Sequence, residues 1–549
     1  MARRALILAL LLSLGAAAPA AASRYVAPNG SGALFLFSGH GWGHGVGMSQ
    51  YGAYGFAQHG FTYDQILAHY YPGTRLAKAP LATIRVLLQD RRTKLTISST
   101  SGMTVTDGTG ATHTLAAGKV TFGPKLLLAV DGGAAAALPA PLSFAPAAAA
   151  GTVLTLGRAY RGRILVDVVD GRLRAIDVLP LQQYLYGVVP AEMPSGWSAE
   201  ALKAQAVASR SYALATRAVA APFDVYGDTR SQAYLGVTHE TPASNAAVDA
   251  TAGQVLMYGK KIATTYFSST SGGQTESAAD AWGGVGPPYL VSVDDPYDAI
   301  SPYHDWGPVP VTAQTIAAKL KVPGTVEDAT TTPNEAGRVA TLDVSSLAGK
   351  PATATVTQVL GSLARAKLGL RSTWFDVGVL TLLPPATATV VYGTPVTLNG
   401  LVRGVDGVVV EQRSANAAWS ELEPVAPADD GTISLVTTPE LTTDYRLATP
   451  DLAAAYVRVK VVPQVTLTSL TSSLASGTVL PALPGAAVQI QQQNPVGAAP
   501  AWTTVVTGIV DENGAFAVPV SLAPGTYRAL VAPGHGFSPG ASSVATLAP

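Results

Sequence analysis

The chain contains no cysteine. That excludes disulfides and every zinc site that needs thiolate ligands, and it spares an exported protein from thiol oxidation. Surplus charge is missing too: 35 Lys and Arg stand against 35 Asp and Glu, and no basic run occurs. Nucleic acid and anionic membrane are therefore poor partners. Charged residues make up only 13% of a chain that is 48% hydrophobic, which describes folded protein rather than disorder. Beyond the first residues there is no apolar run near the roughly 20 residues needed to cross a bilayer, so no transmembrane anchor is expected. At 549 residues the chain is too long for one core and suggests about three or four domains.

The start, "MARRALILALLLSLGAAAPAAAS", combines basic residues, an apolar run at 5–14 and small residues at Ala20, Ala21 and Ala22. The run is short for a membrane anchor. Residues 1–22 are expected to be a cleaved signal peptide, leaving a secreted or cell-wall protein.

Residues 81–178 read as short strands. "TIRVLLQ" alternates, and "ILVDVVDGRLRAIDV" is two strand-like runs around Asp170-Gly171, with an Ala/Pro-rich connector expected over 134–150. A helix follows over about 198–217, with Ser198 as its cap, Glu200 at its positive start and a surface of Ala and Ser that neighbours can approach closely. After residue 375 Thr, Val, Pro and Gly take over. Trp419 is followed by Gly431 and "DYR" (Tyr445, Arg446), and Trp502 by Gly514 and "TYR" (Tyr527, Arg528). This repeat has the length of a small β-sandwich. The expected organisation is an α+β catalytic region over 23–374, with mixed strands and a helical Glu-bearing segment, followed by two immunoglobulin-like all-β sandwiches, 376–464 and 465–549. The tail is either a spacer or a wall adhesin.

Four of the eight histidines, His40, His44, His59 and His69, fall in one stretch of 30 residues that opens "GHGWGHGVGMSQ". His40 and His44 would share a face on a helix, but the alternating glycines around them disfavour helix, and nothing identifies the third ligand a metal site wants. A phosphate loop lacks its strand–loop–helix frame and its Lys-Ser/Thr. What remains is backbone passing close to something, with polar side chains on offer. Downstream, "YGAYGFAQHGFTYDQILAHYYPG" reads as helix, turn, helix.

The block "GWGHGVGMSQYGAYGFAQHGFTYDQILAHYYPGT" resembles the family of stage II sporulation protein D and the LytB amidase enhancers. So do "QYLYGVVPAEMPSGWSAEALKAQAVASRSYAL", "YRGRI", "TSGGQTESAADAWGG" and "PYLVSVDDPYD". The resemblance spans about residues 35–310 and leaves out the tandem tail. It implies a peptidoglycan lytic transglycosylase acting on glycan strands stripped of stem peptides, with Glu192, in "VVPAEMP", as the catalytic acid. From the residues alone, Glu192 lies between Pro190 and Pro194 in an apolar segment expected to be an ordered, partly desolvated loop. Desolvation favours the protonated acid.

The family-matched polar positions are expected to form a glycan cleft: Lys203, Gln205, Arg210, Tyr212, Gln232, Tyr234, Ser269, Ser271, Gly272 and Thr275, walled by His44, Ser49 and Gln50. Arg210 or Lys203 is expected to meet the lactyl carboxylate that loss of a stem peptide exposes. Glu200, Glu240, Glu276 and Asp280 stay open as assisting carboxylates. No cofactor or metal is implied; the partners are glycan strands and a cell-wall amidase. The rival reading of the same resemblance is a non-catalytic, wall-binding amidase enhancer, and the retained Glu192 leans toward the enzyme. Two departures stand out. In the sporulation members the "GWGHGVGMSQ" block follows the catalytic part, whereas here it precedes it, which requires the two ends of the domain to lie close together. Some relatives also carry zinc-binding cysteines where Tyr226 and Ser231 stand.

Overall fold

The computed structural model describes residues 24–80, 82–147, 153–415, 417–494 and 501–548. The expected signal segment and the end of the Ala/Pro connector lie outside them. The chain is mixed α/β, with strand outweighing helix.

The pivot of the molecule is the strand Leu34–His40. It pairs antiparallel with Asp305–Thr312 on one edge and Trp374–Leu382 on the other. Its apolar residues are not alternated with polar ones, and Leu34, Phe35, Leu36 and Phe37 are all buried. The strand is covered on both faces, the condition under which a strand reads as a continuous apolar run. Phe35 and Phe37 enter a core with Ile316, Leu342, Val344 and Phe375. Leu34 and Leu36 enter a second core with Leu398, Val410, Tyr445 and Val459. The sheet then continues from Trp374–Leu382 to Val396–Arg403 and Thr432–Thr437. The boundary expected at 374–376 therefore falls inside a strand, because that strand belongs to cores on both sides of it.

A seven-stranded sheet carries the middle of the chain, in the order Val225–Tyr226, Thr83–Arg92, Arg172–Pro180, Arg163–Val169, Leu142–Pro146, Met103–Thr106, Thr112–Leu115. The hairpin at Asp170-Gly171 forms as its sequence indicates, with both residues at positive φ (50° and 67°). The 134–150 connector is corrected. Leu142–Pro146 is an interior strand of this sheet, and Ala135–Ala137 pairs with Leu127–Ala129. Leu142 and Phe144 are buried at alternate positions, a signal hidden by the Ala and Pro around them.

Five helices pack beside this sheet: α1 (Gln50–Gln58), α2 (Tyr63–Tyr70), α3 (Leu181–Glu192), α4 (Ala199–Thr216) and α5 (Pro242–Ala250). Helix α4 is the hub. It is touched by the other four, and Ala201, Ala204, Ala206, Ala208, Ser209, Ser211 and Ala213 are all buried in those contacts. Small side chains are what let four helices approach one. Ser198 occupies the N-cap position without making a side-chain cap bond. Glu200 is engaged instead, accepting the Tyr63 N–H at 2.8 Å and Lys203 Nζ at 2.6 Å.

Three further helices follow: α6 (Ala278–Trp282), α7 (Ala313–Leu320) and α8 (Gly361–Leu368). Helices α7 and α8 cover a three-stranded sheet, Thr325–Pro333, Val339–Ala348 and Thr353–Leu360. In the tail, Trp419 and Trp502 carry Arg446 and Arg528 over their rings at 3.9 and 4.2 Å, while Tyr445 and Tyr527 sit in the cores of their respective units.

Candidate active site

The Gly-His block runs out of the pivot strand. Gly41, Gly43, Gly45 and Gly47 all have positive φ. A Cβ on Gly45 would strike the Arg338 guanidinium, and one on Gly47 would strike the Tyr266 carbonyl. Close approach and left-handed backbone are thus both required, and only glycine supplies them. Met48–Ser49 pairs parallel with Phe267–Ser268, and Trp42 bridges to Thr270. The early block thus lies directly against the later one, which is the closeness a permuted order demands.

The four clustered histidines go to four separate partners. His40 Nδ1 lies 2.6 Å from Asp305, His59 donates to the Gly55 carbonyl at 2.8 Å and stacks on Tyr297, and His69 donates to the Asp294 carbonyl at 2.8 Å. His44 Nδ1 accepts the Val46 N–H at 3.0 Å. Burial, with Arg365 and Arg338 nearby, pushes the His44 imidazole down to about 4, so it is neutral at physiological pH.

Glu192 is not on a loop. It is the last residue of α3, which tolerates Pro190 in its final turn and is stopped by Met193, in extended backbone and fully buried, and by Pro194. The following turn places Trp197 flat on Tyr54, with ring centroids 4.6 Å apart, so α1 is fixed over the end of α3. Glu192 Oε1 accepts the Ala233 N–H at 2.7 Å. Burial raises the Glu192 carboxyl above its ordinary value, and the bonds from Ala233 and the Gln50 amide offset only part of that rise. Glu192 faces a cavity of about 630 Å³ whose walls include Trp42, His44, Gln50, Tyr212, Tyr266 and Trp282, with Ser269 and Arg365 also lining it. Trp42 and Trp282 are exposed at 39% and 52%, so indoles stand open at its rim.

Of the residues expected in a glycan cleft, Glu192, His44, Gln50, Tyr212 and Ser269 come together there. The others do not line that cavity. Arg210 is buried and donates to the carbonyls of Gln254 (3.1 Å) and Val248 (3.3 Å), lining a different cavity beside Gln182 and Tyr186. Buried among the helices, its guanidinium spends its N–H groups on backbone carbonyls. Lys203 pairs with Glu200. Gln205 is fully buried against Gln50 and Ser209, and Gln232 bonds Tyr184 and the Ser209 carbonyl. Tyr234 donates to buried Asp177 at 2.8 Å. Ser49, Ser271 and Gly272 bond Asp298, and Thr275 bonds Val293.

Ser231 lines the cavity, and its hydroxyl accepts the Tyr226 N–H at 3.1 Å. Glu240 is held by Arg161 at 2.7 Å and Glu276 by Asn334 and Arg338, so neither faces Glu192. Sequence reasoning missed Trp42, Tyr266, Trp282 and Arg365. The aromatic residues within glycine-rich motifs were the available signal for Trp42 and Trp282; Arg365 lies outside every motif and had none.

The arrangement is an α+β domain with one half-buried carboxyl at the end of a helix, facing an aromatic-rimmed cleft. Residues 169–258, which hold α3, α4, α5 and Ala233, match the family model described as "SpoIID: Stage II sporulation protein". The amidase enhancer of Bacillus subtilis (strain 168) is 40% identical over 114 residues, 21% of this chain and 15% of that protein. Stage II sporulation protein D of the same organism is 37% identical over 149 residues, 24% of this chain and 42% of that protein. Stage II sporulation protein D of Bacillus amyloliquefaciens is 30% identical over 241 residues, 39% of this chain and 64% of that protein. The family resemblance read from the motifs therefore stands, and the match spans less than two thirds of each of these relatives. Similar solved structures include a cytokine receptor complex (15% identity, 31% of this chain, 95% of that chain, TM-score 0.18) and a chimeric titin Z1Z2 tandem (16%, 31%, 98%, TM-score 0.14). At such TM-scores they carry no argument about this fold.

Proposed function

We propose that the chain is an exported peptidoglycan lytic transglycosylase. It cleaves the MurNAc–GlcNAc bond of denuded glycan strands and leaves 1,6-anhydro-MurNAc ends, with Glu192 as both acid and base. The observation that carries this reading is that, among the described residues, Glu192 is the only carboxylate lining its cavity. Ordinary glycoside hydrolysis uses two carboxylates flanking the bond. A transglycosylase manages with one, because the sugar brings its own nucleophile. Protonated Glu192 gives its proton to the glycosidic oxygen as the C1–O bond breaks. The muramic acid 6-hydroxyl then closes onto C1 and its proton passes back to Glu192. Holding that hydroxyl next to C1 replaces a second catalytic group by effective molarity. The raised affinity of Glu192 for its proton suits the first half of the cycle. The exposed indoles of Trp42 and Trp282 suit the apolar faces of sugar rings.

Denuded glycan strands incubated with the full chain and with Glu192→Gln test the proposal. Anhydro-muramyl products from the wild type, reduced about 10²–10⁴-fold in the variant, are expected. The second reading, a wall-binding amidase enhancer, is favoured by the name of the Bacillus subtilis relative. It predicts strand binding without products from either protein and stimulation of a cell-wall amidase by both. On either reading, the tail serves as a spacer or holds the protein to the wall.

A further inference from the structure

A second, separate cavity of about 470 Å³, with Glu276, Asp280 and Asn334 among its lining, adjoins that of Glu192, and His44, Trp282 and Arg365 line both. Arg365 is the only cation among the described residues lining either cavity. It is held from behind, its Nε donating to the Arg371 carbonyl at 3.1 Å. Among the described residues neither of its Nη groups has a hydrogen-bond partner, and no carboxylate lies within ion-pair distance. Among the described residues none of its neighbours pairs with it: His44 is neutral, Arg338 is another cation, Glu276 is already taken by Arg338 and by two bonds from Asn334, and Asp280 accepts the Ser277 hydroxyl. A half-buried guanidinium with both ends free is a ready partner for a planar anion, which it can grip bidentately.

Resting on the glycan reading above, we propose that Arg365 is the specificity-determining residue of the cleft. It receives a carboxylate carried by a sugar that spans the junction between the two cavities. The role expected of Arg210 or Lys203 thus passes to a residue of α8, from a segment that the family match does not include. An acidic sugar is oriented so that the next glycosidic bond along the strand reaches Glu192. A neutral sugar of the same shape, or one whose carboxylate is capped as an amide, lacks the contact.

The test measures binding to the full-length Glu192→Gln protein, in which turnover is suppressed, by calorimetry with two soluble oligosaccharides. One bears free lactyl carboxylates and the other is the same glycan with those groups amidated. The acidic ligand is expected to bind about 10- to 100-fold more tightly, the range for one charge-assisted pair. The additional change Arg365→Gln should bring that ratio close to one, and Arg365→Lys should restore part of it. A ratio unchanged in Arg365→Gln overturns the assignment while leaving the glycan reading intact. Failure of both ligands to bind the parent protein overturns the assignment together with the glycan reading. A parallel thermal melt of each variant ensures that a ratio near one is read only from folded protein.

Discussion

The Ser49 hydroxyl donates to Asp298 Oδ1 at 2.7 Å, joining residues 249 positions apart in the chain. Asp298 also accepts the N–H groups of Ser271 (3.1 Å) and Gly272 (2.9 Å) and lies 3.1 Å from His304 Nδ1. Beside it, Asp295 accepts the hydroxyls of Tyr70 and Ser271, each at 2.7 Å. Two buried carboxylates thus rivet the start of α1, the end of α2 and the 271–272 turn behind the cleft wall. Serines that resemble sugar-binding residues in sequence are the rivets of that wall.

Two neighbouring buried carboxylates cannot both ionise cheaply, and burial followed by the charge of Asp298 pushes Asp295 up to about 7. The folded protein therefore holds a proton there that the unfolded chain gives up near pH 4. The stabilisation is complete below about pH 4 and is lost as pH rises through about 7. Asp295→Asn should flatten this component, so its melting temperature relative to wild type should rise between pH 4 and 7. Melts across that range check it, and parallel profiles for the two proteins contradict it.

Local pattern carried much of the fold. The helix expected over 198–217 forms as α4, and the Asp170-Gly171 hairpin and the helix–turn–helix after the Gly-His block form as expected. Each depends on neighbours a few residues away. The 83-residue repeat was legible because Trp419 and Trp502 each need their own arginine as a cover. What was not legible was long-range. Nothing in "LFLF" says that its two faces serve different cores, and nothing in the α4 sequence says that Arg210 turns away from Glu192 while Tyr212 turns toward it. Arg365 joins the site only because α8 is carried there by a three-stranded sheet.

Gly47 tests the account of the glycine run. Alanine there adds a Cβ against the Tyr266 carbonyl in left-handed backbone. The conformation costs about 1–2 kcal/mol and the overlap about 1–3 kcal/mol. Denaturant unfolding should show a loss within the sum of those ranges, together with weakened glycan binding because Tyr266 lines the cleft. Full stability in Gly47→Ala would count against the close approach.

Gln50 tests the electrostatics of the acid. Its amide favours ionised Glu192 and so holds the carboxyl lower than burial alone would. In Gln50→Leu the carboxyl should rise further. A general acid works only while protonated, so activity falls as pH passes upward through its pKa. The alkaline limb of the pH–rate profile is therefore expected at higher pH in the variant. A limb that moves to lower pH, or stays in place, contradicts this.

The strand Trp374–Leu382 gives a test of where the region that holds the cleft ends. A chain stopped after residue 373 keeps every residue of the expected cleft yet removes the partner of Leu34–His40. It also takes Phe375 and Val379 from one core and, from the other, every buried apolar residue except Ala27, Leu34 and Leu36. Each such side chain contributes about 1.5–3 kcal/mol when buried, so Phe375, Val379 and Leu380 alone approach the whole stability of an ordinary domain. Leu34 and Leu36 would also face water, and the Gly-His loop that they anchor would lose its fixed start. A chain stopped after residue 463 keeps both cores and loses the packing of Phe537 and Gly540 from the second tail unit, with the backbone bonds that join Gly536 to Thr442 and Ser538 to Val461. Expression of the two truncations, followed by melts monitored through tryptophan fluorescence, should therefore separate them. The 463 form should be soluble with one cooperative transition close to that of the full chain, and the 373 form should aggregate. A cooperative, wild-type-like melt from the 373 form would mean that the pivot strand stands without its neighbour, and that the cleft owes nothing to the first tail unit.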